Sequence, residues 1–152
     1  MIKAEKALVL ILLINSLIWA RSAYGKLAGG NFVSGLGGTL DKFASKNPYP
    51  IVKDFLQNIA IPNSTTFGQL TLWGEVAVAV VSILSLTYIL FTKKYNKWVV
   101  WALIGGLLGG IFLNLIFWFS AGWTSSATDS LNLLMFFVQI FGLGYLIKFK
   151  GS

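Results

Sequence analysis

Few side chains in this 152-residue sequence can do chemistry, and they are spaced so as to meet. Arg21 and Lys26 close a first apolar stretch, Glu75 interrupts a second, Asn114 is the amide of a third, and Gln139 lies within a fourth. At a helical rise of about 1.5 Å per residue, Arg21 stands roughly 21 Å above Ala7, and Glu75 lies roughly 8 Å into its own stretch. In an apolar core about 30 Å thick, two antiparallel helices would bring these groups to one level. Asn114 and Gln139 fall roughly 9 and 12 Å from the same end, so four helices place a polar side chain in one slab. Ionisable groups inside a membrane are costly, and they are either paired or functional. A functional pocket would use Arg21 and Lys26 as positive charge for an anion or a quinone headgroup. Glu75 would be its proton acceptor, and Trp19, Tyr24 and Trp73 its apolar walls. The same residues also admit an architectural reading. An Arg21–Glu75 ion pair, joined by Lys26, would lock the first two helices, with the amides as interhelical glue.

The elements that must position these groups are transmembrane helices. AVILMFWYC make up 56% of the chain and charged residues 11%, against about a quarter charged in a soluble domain. The mean hydropathy is +0.75, and a soluble fold of this size could not cover so much apolar surface. Spans are expected over residues 7–26, 70–91, 98–119 and 131–147, giving an all-α, four-helix transmembrane bundle in a single membrane domain. Sustained polar–apolar alternation, the mark of a membrane barrel, is absent from the sequence. Lys3 and Lys6 ahead of an apolar run, with Ala20-Arg21-Ser22-Ala23 behind it, also fit a cleaved signal peptide. The retained reading is preferred because helical sequence continues past that point. With neither Cys nor His, disulfides, CxxC chemistry, Cys/His zinc sites, haem axial histidines and His-based acid–base catalysis are excluded.

The formal charge of +7, from 12 Lys+Arg against 5 Asp+Glu, reads as a topology signal rather than as nucleic-acid binding. Four spans put Lys3, Lys6, Lys93, Lys94, Lys97, Lys148 and Lys150 on one side. Arg21, Lys26, Lys42, Lys46 and Lys53 belong to the other, and residues 120–130 carry no basic group. Both termini are therefore expected in the cytoplasm of a multi-pass plasma-membrane protein. Tyr95, Trp98 and Trp101 would mark the inner interface, and Trp73, Trp118 and Trp123 the outer one. Residues 27–69 form a long structured outer loop between helices 1 and 2. Ile51, Val52, Phe55, Leu56 and Ile59 recur there at helical spacing, so one or two short amphipathic helices over the outer mouth are expected. Asn63-Ser64-Thr65 is a formal glycosylation sequon. Gly105-Gly106 and Gly109-Gly110 overlay two GxxxG patterns that allow close helix packing.

These motifs resemble the DoxX/DoxD family of four-helix membrane proteins. Arg21-x3-Gly25-Lys26 resembles its end of helix one, Phe67-Gly68-x5-Gly74-Glu75 its start of helix two, and Asn114-x6-Ala121-Gly122, followed by Ser/Thr and then Asn132, its ending to helix three and the loop beyond. Asn47-Pro48-Tyr49-Pro50, Phe55-Leu56 and Ile61-Pro62-Asn63 in the long loop resemble the DoxD type, the membrane subunit of archaeal thiosulfate:quinone oxidoreductase. The resemblance implies oxidation of external thiosulfate to tetrathionate with electrons passed to membrane quinone. It further implies a DoxA-like small subunit and association with a heme-copper quinol oxidase core. Arg21, Lys26 and Glu75 fall on the motif positions, with Tyr24, Trp19, Trp73, Asn114 and Gln139 around the quinone. Quinone would be substrate, and this chain itself would bind no metal or heme. The expected function is the membrane subunit of such an oxidoreductase, lacking its own redox centre; the alternative is a non-catalytic accessory subunit of a terminal quinol oxidase. Membrane lipid is an expected partner and nucleic acid is not.

Overall fold

The computed structural model describes residues 3–150, with side chains through residue 147. The chain folds into α1 (Lys3–Gly29), α2 (Phe32–Ser45), α3 (Pro50–Phe55), α4 (Ser64–Thr92), α5 (Lys97–Ala121) and α6 (Ser126–Lys150). A π turn over Leu56–Ala60 extends α3, with Ile61 N–H donating to Leu56 O at 2.9 Å, and a 3-10 turn over Gly122–Thr124 joins α5 to α6. Among the described residues there is no strand.

Four helices are long and apolar enough to cross a membrane, namely α1, α4, α5 and α6. Each is longer than the apolar stretch that announces it, because polar flanking residues stay helical. Leaving the helix inside or near lipid would strand backbone N–H and C=O groups. The segment at residues 27–69 shortens accordingly. It holds two helices, α2 and α3, rather than a loop. Local chemistry sets the boundaries. Gly30 adopts φ 69° between α1 and α2, Asn96 accepts from Trp98 N–H at 2.9 Å to cap α5, and Pro50 opens α3.

In the bundle α1 packs on α4, α4 on α5, α5 on α6, and α6 returns to α1. Its distribution of side chains is inverted relative to a water-soluble protein. Ile14 (61% exposed), Leu84 (65%), Phe112 (63%) and Phe141 (69%) point outward, while Glu75, Asn114, Gln139, Ser82 and Asn15 are buried. Water would not tolerate apolar surface on all four helices, and lipid does. Near the chain's N-terminal end the interior is dry, built from Leu12, Leu86, Ile89, Leu103, Leu107 and Leu146. At that end Glu5 of α1, Tyr95 of the α4–α5 turn and Tyr145 of α6 interact electrostatically. Burial, then the nearby Glu5 carboxylate, raises the Tyr95 hydroxyl above its ordinary value, and Tyr145 partly offsets this. The side chains of Lys148 and Lys150, two of the expected orientation signals, lie outside the described residues.

At the other end α2 and α3 cover the bundle through Leu36, Leu40, Ala44, Leu56 and Ala60. Of the expected amphipathic stripe, only Leu56 is buried and Val52 half-buried. Ile51 (85%), Phe55 (40%) and Ile59 (49%) remain exposed. Asn47 fastens this cap. Its Nδ2 donates to the carbonyls of Phe119 and Ser120 at the end of α5, both at 3.2 Å, and its Oδ1 accepts from Tyr49 N–H at 3.0 Å. Trp118 and Trp123, expected as interface anchors, clasp the α5–α6 turn. Trp118 donates to Asp129 at 2.5 Å and Trp123 to the Ser120 carbonyl at 3.1 Å.

The α5 glycines separate into two roles. A Cβ on Gly110 would land on the Gln139 amide, and one on Gly106 would come within 2.6 Å of Ser82 Oγ, whereas one on Gly105 meets nothing within 4 Å. Gly110→Ala is therefore expected to destabilise the purified protein by about 1–3 kcal/mol. Gly105→Ala should be neutral or slightly stabilising. Thermal unfolding of both variants in the same detergent checks the contrast.

Candidate functional site

Glu75 has no solvent-accessible surface, although it sits three turns into α4. Its partner is Lys26, near the end of α1, and not Arg21. Lys26 Nζ donates to both Glu75 oxygens at 2.8 Å and to Ser22 Oγ at 2.8 Å, and lies 5.1 Å from the centroid of the Phe32 ring. An ammonium has three N–H donors, and all three are engaged. The Arg21–Glu75 pair expected from depth alone does not form. Arg21 is exposed on another face of α1 and makes no ion pair among the described residues.

The amides expected in the same slab do meet. Asn114 Nδ2 donates to Gln139 Oε1 at 2.9 Å, with both residues 1% exposed. Gly110, one turn from Asn114 on α5, makes room for the Gln139 head. Helix packing fixes the level: a Cβ on Gly74 would touch Leu113, so Asn114 and Glu75 occupy neighbouring layers. Asn15 adds a polar group not singled out in the sequence, donating to the Met135 carbonyl at 3.3 Å and joining α1 to α6.

The expected apolar walls separate. Trp19 is buried (3% exposed) against Val78, Ala79 and Met135, with its ring 6.1 Å from that of Phe117. Tyr24 (66%) and Trp73 (58%) point outward and line neither cavity described below, and Trp73 donates to Gln69 at 3.1 Å. Three buried polar atoms lack a hydrogen-bond partner among the described residues: Trp19 Nε1, Asn114 Oδ1 and Ser82 Oγ. The interior near Glu75 is thus polar and only partly satisfied.

Two cavities meet at Lys26. A groove of about 1040 Å³ runs between α4 and α5, past Gly74, Val78, Gly105, Gly109 and Phe112. Leu36, Leu40, Phe43 and Phe55 of α2 and α3 roof it, so its lining is overwhelmingly apolar. A shallower cleft of about 720 Å³ opens between α1 and α2, lined by Arg21, Ser22, Lys26, Asn31, Phe32 and Thr39. Lys26, Phe32 and Thr39 belong to both. Phe32 and Thr39 carried no sequence signal, because nothing local ties α2 to the end of α1. Ser22, four residues before Lys26 on a helix, did carry one.

No family model matches the chain, and no curated protein or solved structure matches it.

Because Lys26 is the buried carboxylate's only ionic partner among the described residues, Lys26→Met should cost about 3 kcal/mol of stability. Adding Glu75→Gln to Lys26→Met should recover most of that loss, since the uncompensated charge disappears with its partner. Unfolding of the two single variants and the double variant in one detergent measures the coupling.

Proposed function

We propose that this chain is the membrane subunit of a quinone-linked oxidoreductase of the DoxX/DoxD kind, in which oxidation of an external sulfur anion such as thiosulfate is coupled to quinone reduction in a respiratory chain. The observation that carries this reading is the buried Lys26–Glu75 pair at the head of a long apolar groove. A quinone combines a flat head bearing two carbonyls with an apolar tail. The groove along α4 and α5 offers the tail a bed of small residues, while Lys26 offers the head a donor. A quinone carbonyl replaces Ser22 Oγ as the third acceptor on the Lys26 ammonium; Lys26 yields a proton to the reduced carbonyl, and Glu75 accepts a proton from the surrounding water and passes it on to restore the ammonium.

In the overall balance, joining two thiosulfate ions into tetrathionate releases two electrons, and quinone takes these up with two protons to become quinol. The chain contains no Cys or His, so the reading assigns the sulfur chemistry to a DoxA-like partner and quinone docking to this subunit. It places the protein in the plasma membrane with both termini inside, beside Lys93, Lys94 and Lys97. The α2–α3 cap then faces outward, where the anion arrives.

An accessory role in a terminal quinol oxidase is the second reading. It is favoured by Gly105 and Gly144, whose missing side chains leave open space on outward helix faces where another helix can seat. Thiosulfate-dependent quinone reduction in membranes separates the two readings. Glu75→Gln should lower it about 100-fold with assembly intact. Unchanged turnover would sink the catalytic reading, and loss of oxidase assembly on deletion of the chain would favour the accessory one.

A further inference from the structure

On α1, Ile14, Leu17, Arg21 and Tyr24 recur at spacings of three and four residues and share one face of the helix. All four are exposed, with Ile14 at 61%, Leu17 at 53% and Tyr24 at 66%. The stripe runs from aliphatic through cationic to phenolic, which is the order met on passing from lipid chains to headgroups. Arg21 lies eight residues before the end of α1, roughly 12 Å along the axis. An unpaired guanidinium at that depth on a lipid-facing surface is costly unless an anion meets it.

The charges around the cleft define that anion. Lys26 and Glu75 neutralise each other, and every N–H donor of Lys26 is engaged. Arg21 therefore contributes the cleft's net charge of +1, and its donors find no carboxylate among the described residues. Its guanidinium lies over Gly25, where an added Cβ would sit 3.5 Å from Nη1. The absent side chain leaves the planar fork open, with Asn31 and Thr39 across the cleft as further polar groups. A planar fork of donors matches a tetrahedral phosphate through paired hydrogen bonds.

We propose that Arg21 holds the phosphodiester headgroup of a membrane lipid, whose chains lie along Leu17 and Ile14 below it. The single negative charge of a phosphodiester balances the cleft, and the apolar stripe gives the chains a surface continuous with the headgroup site. Tyr24 flanks the headgroup from the water side. This site is distinct from the Lys26–Glu75 pair and does not depend on the quinone reading.

The test is native mass spectrometry of the purified protein in detergent, titrated with dioleoylphosphatidylglycerol. Wild type should retain the lipid, and Arg21→Gln should weaken retention about tenfold. Arg21→Lys should fall between them, since a point charge replaces the fork. Gly25→Leu keeps every charge while crowding the guanidinium, so it should weaken the same lipid even if Arg21→Gln folds poorly. Lys46→Gln, which removes an exposed cation elsewhere on the cap, should change nothing. Equal loss in Lys46→Gln and Arg21→Gln would reduce the effect to general surface charge and overturn the site. Displacement of the lipid by millimolar inorganic phosphate or sulfate would make it a free-oxyanion site and overturn the lipid assignment. Retention is read without turnover, so its failure leaves the quinone reading standing.

Discussion

A carboxylate cannot sit in the middle of a helix bundle within a membrane unless something neutralises it at contact distance, and much of this fold follows from that constraint on Glu75. α1 must run to its last turns for Lys26 to reach α4. The chain must then reverse at once so that Phe32 lies over the ammonium, which is what the left-handed backbone at Gly30 allows. α2 must also lie close on α4 above the pair. Gly68, two turns before Glu75, permits this: a Cβ there would stand 3.1 Å from the Val33 backbone. Asn47 then pins the far end of the cap to α5. Covering Glu75 in this way strengthens the pair's electrostatics, because water is kept from the carboxylate while Lys26 reaches the edge of the cleft.

The interior is divided along its length. Leucines and isoleucines of all four spans fill the end nearest the termini, while the capped end carries Glu75, Asn114, Gln139 and the unpartnered atoms of Trp19 and Asn114. A dry half holds the helices together by packing, with interior glycines setting the approach. A polar half costs more to bury, and it coincides with the two cavities. That coincidence argues for a ligand site at the capped end better than any single residue does, since unsatisfied polar atoms inside a protein need an explanation beyond stability.

Much of this was legible in the amino acids, and the limits are physical. The four spans follow from hydropathy, since lipid imposes a length and an apolar composition on any helix that crosses it. The depth of the polar layer follows from a fixed rise per residue, so the nearness of Asn114 to Gln139 could be anticipated. Azimuth is harder. In a helix apolar on every side, no amphipathic stripe says which face points inward. Arg21 and Lys26 stand five residues apart, roughly 140° around the helix, so only one can face α4. Asn15 held the missing clue. It is buried against α6, and Lys26, eleven residues on, falls within roughly 20° of its direction, whereas Arg21 does not. Phe32 and Thr39 were illegible because they reach the site by tertiary contact alone.

The assignment of the two cations then makes chemical sense. A lysine ammonium offers three donors around one point, and a carboxylate with one serine hydroxyl satisfies all of them. An arginine in that position would bring five donors in a rigid plane and leave some of them buried without acceptors. On the open face the preference reverses. There a planar, weakly hydrated fork can meet a phosphate brought by lipid, and donors left over can reach water. The chain thus places lysine where the anion is its own and fixed, and arginine where the anion must come from outside. Phe32 and Thr39 form a wall common to both sites. An anion seated on Arg21 therefore shares a wall with Lys26, whose charge Glu75 already balances at 2.8 Å, so each cation answers to its own anion.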